Sequence, residues 1–186
     1  MSGSRLILAL NQGAVAVPES GRIAVYEPPA GYDFGDLPQE RTQIFQDFKP
    51  DFDTLSAQGW DVSAQPDGEH SLSIVVLPRS KEKARALIAA AVSATNGTIV
   101  IDGQKTDGVE SILKAAKARG TVSGLINKAH GKLFCLDGGD FSDWPALGSV
   151  DRNGYFVAPG VFSADKPDRG SQLLAAQLPD LSLIHI

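Results

Sequence analysis

The middle of the chain alternates between two patterns, and this alternation constrains the fold more than any other feature of the sequence. Residues 71–77 form a continuous apolar and largely β-branched run, which is typical of a parallel strand buried on both faces. A helical pattern follows over 81–95, then a second buried strand at 98–101 and a second helix at 109–118. Such alternation indicates βαβ units. We therefore predict an α/β fold: a mostly parallel, twisted sheet with helices on both faces.

Weaker patterns on either side extend this core. Glycine, proline and aspartate bound each of them. We expect Asn96-Gly97 to close the first long helix, which Ser80 is placed to cap, and we expect loops at 102–108 and 137–152. The remaining predicted elements are a helix within 5–17, strands at 21–26 and 42–48, a helix at 51–58, a strand at 60–63, and two strands at 121–126 and 132–136 that pair antiparallel.

Composition narrows the class of protein. The chain has 186 residues, of which 42% are hydrophobic, and no apolar run approaches the roughly 18 residues of a membrane span. The N-terminus shows no signal-peptide pattern. The single cysteine, Cys135, excludes an internal disulfide. These features are typical of a cytoplasmic protein that does not bind membranes.

Charge is distributed unevenly along the chain. The formal net charge of −5 by itself argues against nucleic-acid binding. However, residues 1–78 carry four Lys/Arg against eleven Asp/Glu, whereas residues 79–186 carry thirteen against eleven. An ordinary solvated helix face with loop lysines would explain the difference as well as a phosphate-facing side does. The stretch 111–136 has no acidic residue, and its basic residues are candidates for contacts with RNA: Lys114, Lys117, Arg119, Lys128 and Lys132.

Several kinds of catalytic site are missing from the sequence. There is no P-loop and no strand followed by Gly-x-Gly-x-x-Gly, and the three histidines have no metal-binding spacing with Cys135, so no metal is expected. Cys135 lies in an apolar strand pattern, which favours an inert buried thiol over a nucleophile paired with His130. Asp102 follows a strand, where doubly wound sheets often bind a ribose hydroxyl. Without a glycine loop on an earlier strand, we expect Asp102 instead to cap the loop after it.

A second informative stretch lies near the C-terminus. Residues 155–163 predict a short apolar strand and a Pro-Gly turn, and a helix follows with Asp168 or Ser171 in position to cap it. A strand, a glycine-bearing loop and a helix start together present backbone N–H groups to a small polar ligand. A plain connection that docks a helix fits the same pattern.

Several motifs in a fixed order carry a family resemblance. They are LPRSK at 77–81, DGQKTDGV at 102–109, KAHGKLF at 128–134, and APGVFS at 158–163 followed by Asp168, Gly170-Ser171 and Leu173-Leu174. Together they resemble the RsmC-type ribosomal RNA guanine-N2 methyltransferases of the bacterial small subunit. That family consists of class I enzymes that use S-adenosylmethionine (SAM). The matches cover about residues 72–182, while the first seventy residues match only in layout. At Lys166 and Pro167 the family more often has glycine and then an apolar residue.

The resemblance implies a role for each part of the chain. Residues 1–154 would be an N-terminal pseudo-methyltransferase domain, a degenerate Rossmann-like copy that binds no SAM and supports RNA binding and the stability of the catalytic domain. Residues 155–186 would be the lead-in to a truncated C-terminal catalytic domain. The implied partners are small-subunit ribosomal RNA and that catalytic domain in cis. The residues implied to lie beside SAM are Phe162, Ser163, Asp168, Gly170 and Ser171.

The resemblance also implies a reaction, the SAM-dependent methylation of a guanine amine in 16S rRNA, displayed out of its stack. The glycine loop that holds SAM and the Asn-Pro-Pro motif that holds the amine are absent from these 186 residues. This chain alone is therefore expected to be inactive. Two alternatives remain open: a stand-alone, non-catalytic α/β module that binds RNA or protein, and a small-molecule-binding domain with its ligand near Asp102.

Overall fold

The computed structural model describes residues 4–150, 156–159 and 168–177. Within them, two short 3-10 turns at Gln39–Arg41 and Lys105–Asp107 accompany the regular elements. The helices are α1 Arg5–Asn11, α2 Lys49–Ala57, α3 Lys81–Ala94, α4 Val109–Lys117 and α5 Arg169–Gln177. The strands are β1 Ile23–Tyr26, β2 Thr42–Phe45, β3 Asp61–Ser63, β4 His70–Val76, β5 Thr95–Gln104, β6 Thr121–Lys128, β7 Gly131–Asp137, β8 Ser149–Val150 and β9 Phe156–Val157.

Seven of the strands form one mixed sheet in the order β3-β2-β1-β4-β5-β7-β6. The first five in this order are parallel, while β7 runs antiparallel to both β5 and β6. The strand order reverses between β1 and β4, which creates a topological switch point. β8 and β9 pair as a separate antiparallel ribbon. The predicted α/β fold and the antiparallel pairing of β6 and β7 are confirmed.

Helices cover both faces of the sheet, because neighbouring residues of a strand point to opposite sides. Along β4, Val75 packs in a layer that contains α3 and α4, whereas Ile74 packs in a layer that contains α1 and α2. Phe141 and Trp144 pack with the first layer, so the predicted loop after β7 folds back over the sheet. Ser80 caps α3 as predicted, since its side chain accepts from the Lys83 N–H at 3.2 Å.

β5 is longer than its sequence pattern predicted. Asn96 and Gly97 continue the strand and do not form a closing turn, so that prediction is wrong. At this point β5 lies so close to β4 that a Cβ on Gly97 would collide with the backbone carbonyl of Ser71. The absence of a side chain at Gly97 therefore allows the backbones of β4 and β5 to approach closely. β5 also extends to Gln104, which places Asp102 inside the strand and not in a loop.

Candidate functional site

The carboxyl ends of β1, β2 and β3 border a crevice beside the switch point. Ligands of open α/β sheets bind in such crevices. The cavity has a volume of about 470 Å³. Three charged residues line it: Glu27 directly after β1, Asp47 after β2, and Lys83 in the first turn of α3. Its other walls are mainly apolar or aromatic and include Tyr26, Phe45, Pro66, Leu87, Leu147 and Pro159.

Lys83 occupies the polar part of this crevice. Its Nζ donates to Glu27 Oε2 at 2.8 Å and to Asp47 Oδ1 at 2.7 Å. The side chains of Lys83 and Glu27 are largely buried, whereas that of Asp47 is half exposed. Glu27 has a φ of 54°, in the left-handed region that non-glycine residues seldom adopt. Its N–H donates to the Phe45 carbonyl at 2.7 Å, which ties the end of β1 to β2.

Burial and pairing act in opposite directions on these groups. Burial raises the pKa of Glu27, and the hydrogen bond from Lys83 offsets only part of the rise. Burial alone would lower the pKa of Lys83, but hydrogen bonds to Asp47 and Glu27 outweigh it and raise this pKa above its ordinary value. The ammonium group therefore remains charged at neutral pH and holds both carboxylates.

The residues of this crevice do not fit SAM. A nucleotide-type cofactor at such a site uses backbone N–H groups after the first strand and an acidic side chain that binds the ribose hydroxyls. Here β1 is followed, one residue later, by Pro28 and Pro29, which have no N–H to donate. Asp47 is already held by Lys83. The crevice thus has the position of a cofactor site without its hydrogen-bonding groups.

Asp102 forms a second cluster at the same end of the sheet. Its Oδ1 accepts from Arg5 Nε at 2.5 Å and its Oδ2 accepts from the Tyr32 hydroxyl at 3.0 Å. The side chains of Arg5 and Asp102 are only 10% and 4% exposed. The prediction that Asp102 caps the following loop is wrong, because β5 continues past it. Asp107 caps that loop instead and accepts from the Gln104 N–H at 3.3 Å.

The same cluster supports the turn between β6 and β7. Ala129 and His130 form this two-residue turn with φ values of 49° and 56°, a conformation that Asn-Gly usually fills. The carbonyl of Lys128 accepts from Arg5 Nη1 at 3.1 Å. The carbonyl of Ala129 accepts from the side-chain amide of Gln104 at 2.9 Å, with that amide oriented by its hydrogen-bond partners. The carbonyl of His130 accepts from the Lys105 N–H at 2.9 Å.

The five basic candidates for RNA contacts lie on α4 and beside its two ends. Lys128 and Lys132 lie at the β6–β7 turn, beside the start of the helix, where Lys132 Nζ is 3.3 Å from Glu110. Arg119 follows the other end, about 13 Å away along the helix axis, and pairs with Asp143 at 2.9 Å.

Lys114 and Lys117 are exposed on α4 between these two ends and have no ion pair among the described residues. Three candidates thus have no ion pair among the described residues, Lys114, Lys117 and Lys128, whereas Lys132 pairs with Glu110 and Arg119 with Asp143. The guanidinium carbon of Arg119 also lies 5.5 Å from the centre of the Trp144 ring. The role of all five basic residues in RNA binding stays a prediction.

The candidates for contacts with SAM lie around α5. Phe162 and Ser163 fall outside the described residues. Asp168 caps α5, since its carboxylate accepts from the Ser171 N–H at 3.0 Å and from the Ser171 hydroxyl at 3.3 Å. Gly170 and Ser171 are exposed in the first turn. The predicted cap is confirmed, and the cofactor role of these residues stays a prediction.

Other candidate chemistry is absent from the described part of the chain. Cys135 is buried, its Sγ lies 3.3 Å from the Ala14 carbonyl, and burial, with a smaller contribution from Asp137, raises its pKa to about 11. The prediction of a buried thiol is confirmed. In residues 4–150, 156–159 and 168–177, no group of His, Cys, Asp or Glu side chains is arranged to hold a metal ion. No helix in these ranges has the length and hydrophobicity to cross a membrane.

The sequence did not identify Glu27, Asp47 and Lys83 as a site. A usable signal existed: each is a charged residue within a few positions of a predicted strand end or helix start, and these ends meet at the switch point. What the sequence cannot show is that the lysine reaches both carboxylates. That pairing depends on the position of α3 over the sheet.

Curated proteins are similar to this chain in sequence. The small-subunit ribosomal RNA methyltransferase C of Pseudomonas paraeruginosa is 32% identical over 132 residues, which cover 65% of this chain and 40% of the relative. The enzyme of the same name from Hahella chejuensis is 25% identical over 87% of this chain and 54% of the relative. The chain thus spans about half the length of these curated relatives. No protein-family model matches the chain.

A solved structure confirms the fold. The Thermus thermophilus 16S rRNA N2 G1207 methyltransferase RsmC, in complex with AdoMet and guanosine, superposes with a TM-score of 0.62 at 24% identity. The match covers 87% of this chain and 49% of that one. The curated relatives confirm the resemblance of the chain to the RsmC-type methyltransferases of small-subunit ribosomal RNA, and the solved structure shares its fold.

Proposed function

We propose that this chain is part of a SAM-dependent methyltransferase that modifies a guanine N2 amine of 16S rRNA. Residues 1–154 form its N-terminal domain, and residues 155–186 lead into the catalytic domain. The observation that carries this division is the crevice at the switch point. It lies where a methyltransferase-type sheet would hold its cofactor. However, Lys83 binds the carboxylates of Glu27 and Asp47, and Pro28 and Pro29 supply no N–H groups.

In this proposal the N-terminal domain handles the RNA. Methyl transfer to a guanine amine requires the base to leave its stack and to be held in line with the methyl group. Basic residues on the N-terminal domain support this positioning by binding phosphates. Lys114, Lys117 and Lys128 are suited to it, because none of the three has an ion pair among the described residues.

The C-terminal part supplies the cofactor side of the proposal. Phe162, Ser163, Asp168, Gly170 and Ser171 border SAM once the catalytic domain is present, and this chain alone transfers no methyl group. The state of α5 supports this assignment. Its Leu173 and Leu174 are 61% and 64% exposed, and two adjacent exposed leucines are typical of a surface that another domain covers.

Two measurements test the proposal. In the first, SAM is titrated into the 186-residue chain in a calorimeter, and we expect no binding. In the second, residues 1–154 replace the matching region of the Pseudomonas paraeruginosa relative, and transfer of labelled methyl from SAM to 16S rRNA is measured. We expect the chimaera to keep activity. A folded chimaera that binds SAM but transfers no methyl would refute the proposed role of the domain.

A second candidate is a stand-alone, non-catalytic module that binds RNA. Lys114 and Lys117, which are exposed and have no ion pair within the described ranges, favour it, because phosphate binding by this helix face needs no catalytic domain. It predicts salt-dependent RNA binding by the chain, lost in Lys114→Glu/Lys117→Glu, together with an inactive chimaera. The chimaera therefore separates the two candidates.

A further inference from the structure

The turn between β6 and β7 presents its N–H groups to the surface. The carbonyl groups of Lys128, Ala129 and His130 all accept hydrogen bonds from the protein beneath them. By contrast, the backbone N–H groups of Ala129 and His130 have no hydrogen-bond partner in the part of the chain that the structure describes. A turn fixed with its carbonyls inward and its N–H groups outward favours an anion.

Basic side chains surround these N–H groups. A cavity of about 310 Å³ lies between the turn and the start of α4, and its lining carries three lysines, Lys105, Lys128 and Lys132, against one carboxylate, Glu110. Glu110 pairs with Lys132. Lys105 and Lys128 have no ion pair within the described ranges. This excess of positive charge stands out on a chain with a net charge of −5.

We propose that this pocket, formed by Lys105, Lys128, Lys132 and the Ala129–His130 turn, binds a phosphodiester group of the RNA backbone. The inference rests on the proposed function, which supplies the RNA. Lysine ammonium groups and free backbone N–H groups together are a common set of donors to phosphate oxygens. We call it the turn pocket.

The position of the turn pocket favours a polymer over a small metabolite. Lys105, Asn127, Ala129 and His130 are exposed, so the pocket is a surface notch across which a strand can lie. The turn carbonyls accept hydrogen bonds from Arg5, Gln104 and Lys105, which orient the N–H groups before RNA binds. Sites for small metabolites are usually more enclosed and largely apolar.

Matched charge variants test the inference. The pocket variant is Lys105→Gln/Lys128→Gln, and the control is Lys49→Gln/Lys81→Gln, which makes the same charge change at exposed lysines on α2 and α3. Binding of a labelled 16S rRNA stem-loop to the 186-residue chain is followed by fluorescence anisotropy between 50 and 200 mM salt. We expect the pocket variant to reduce the slope of log K against log salt by about one to two. The control should keep the wild-type slope.

The outcomes separate this inference from the proposed function. If the wild-type chain binds the stem-loop and the pocket variant keeps its slope, the turn pocket is refuted while RNA binding stands. If the wild-type chain binds no RNA, the turn pocket is refuted, and the chimaera then decides the proposed function. A measurement by nuclear magnetic resonance is independent of the lysines: the amide signals of Ala129 and His130 should shift and saturate with the stem-loop. Unshifted amides would overturn the inference, as would saturation by inorganic phosphate at the same low concentration.

A turn variant completes the test. Ala129→Asn/His130→Gly keeps the backbone conformation, because Asn-Gly prefers this turn, and it removes the imidazole. Since the backbone N–H groups remain, we expect RNA affinity within about threefold of wild type. A large loss would assign the binding to the His130 side chain and would contradict the role of the turn amides.

Discussion

Replacing Asp102 with asparagine removes one negative charge from a buried cluster and leaves its size almost unchanged. Arg5 would then keep only neutral acceptors, the Lys128 carbonyl and the side-chain oxygen of Gln104. Because the Arg5 side chain is 10% exposed, water replaces the lost carboxylate poorly. The variant therefore measures what the ion pair contributes where α1 meets the edge of the sheet.

The magnitude follows from burial and from the remaining acceptors. Removing one partner of a buried ion pair costs about 3–5 kcal/mol, and a hydrogen bond to a charged group contributes about 1.5–3 kcal/mol. Since two neutral acceptors still hold Arg5, we expect Asp102→Asn to lower the free energy of unfolding by about 2–3 kcal/mol. Asp102→Ala also removes the acceptor of Tyr32 and should cost about 3–5 kcal/mol. In Arg5→Met/Asp102→Leu no charge is left unpaired, so its cost should fall below the sum of the single variants.

Urea denaturation at pH 7, followed by far-ultraviolet circular dichroism and tryptophan fluorescence, gives these free energies if the two signals coincide. Hydrogen exchange of the Lys105 amide, which donates to the His130 carbonyl, should quicken in Asp102→Asn, because Arg5 also holds the turn. A loss below about 0.5 kcal/mol with an unchanged denaturant slope would show that the ion pair contributes little. The argument that this cluster anchors α1 and the turn would then be wrong.

Three further predictions concern other contacts. Lys83→Met should destabilise the fold more at pH 7.5 than at pH 4. The folded-state pKa of Glu27 is already raised, so this carboxyl contributes stability at low pH that is lost as pH rises through the folded-state pKa, and loss of the lysine enlarges that effect. Equal losses of unfolding free energy in urea denaturation at both pH values would contradict this prediction. Gly131→Ala should cost about 1–3 kcal/mol, because its Cβ would lie 2.6 Å from the Gly103 carbonyl oxygen; thermal unfolding checks this, and an unchanged midpoint would contradict it. Ser80→Ala should cost about 1 kcal/mol through loss of the α3 cap, and Ser80→Asp should restore it; a failure of the aspartate variant to recover stability would count against the cap.

The central elements could be predicted because their signals are local. The apolar run that became β4 is buried on both faces, since layers that contain helices cover both sides of the sheet. The cap at Ser80 and the inner stripe of α3 need only residues a few positions apart. The same holds for the cap of α5, where Asp168 bonds a residue three positions on.

The remaining features depend on contacts between distant parts of the chain. Asp102 binds Arg5, which lies 97 positions earlier, and no local pattern shows that a strand-end carboxylate will meet α1. Asn96-Gly97 is a common turn sequence, but here both residues are extended and continue β5 beside β4. The ion pairs of Lys83 also depend on distant parts of the chain, because its partners Glu27 and Asp47 follow β1 and β2.

At the carboxyl end of the sheet, the chain keeps the fold of a cofactor-binding domain but uses the charged groups for its own ion pairs. In an open α/β sheet this end is the ligand-binding end, and Glu27, Asp47 and Asp102 are carboxylates that lie there. Each is held by a cation of the chain itself, Lys83 or Arg5, so their hydrogen-bonding capacity stabilises the domain. Lys105 and Lys128, beside the β6–β7 turn, have no ion pair among the described residues and add positive charge at this end. A ligand for this end should therefore be an anion bound at the outer edge, and not a nucleotide cofactor in the central crevice.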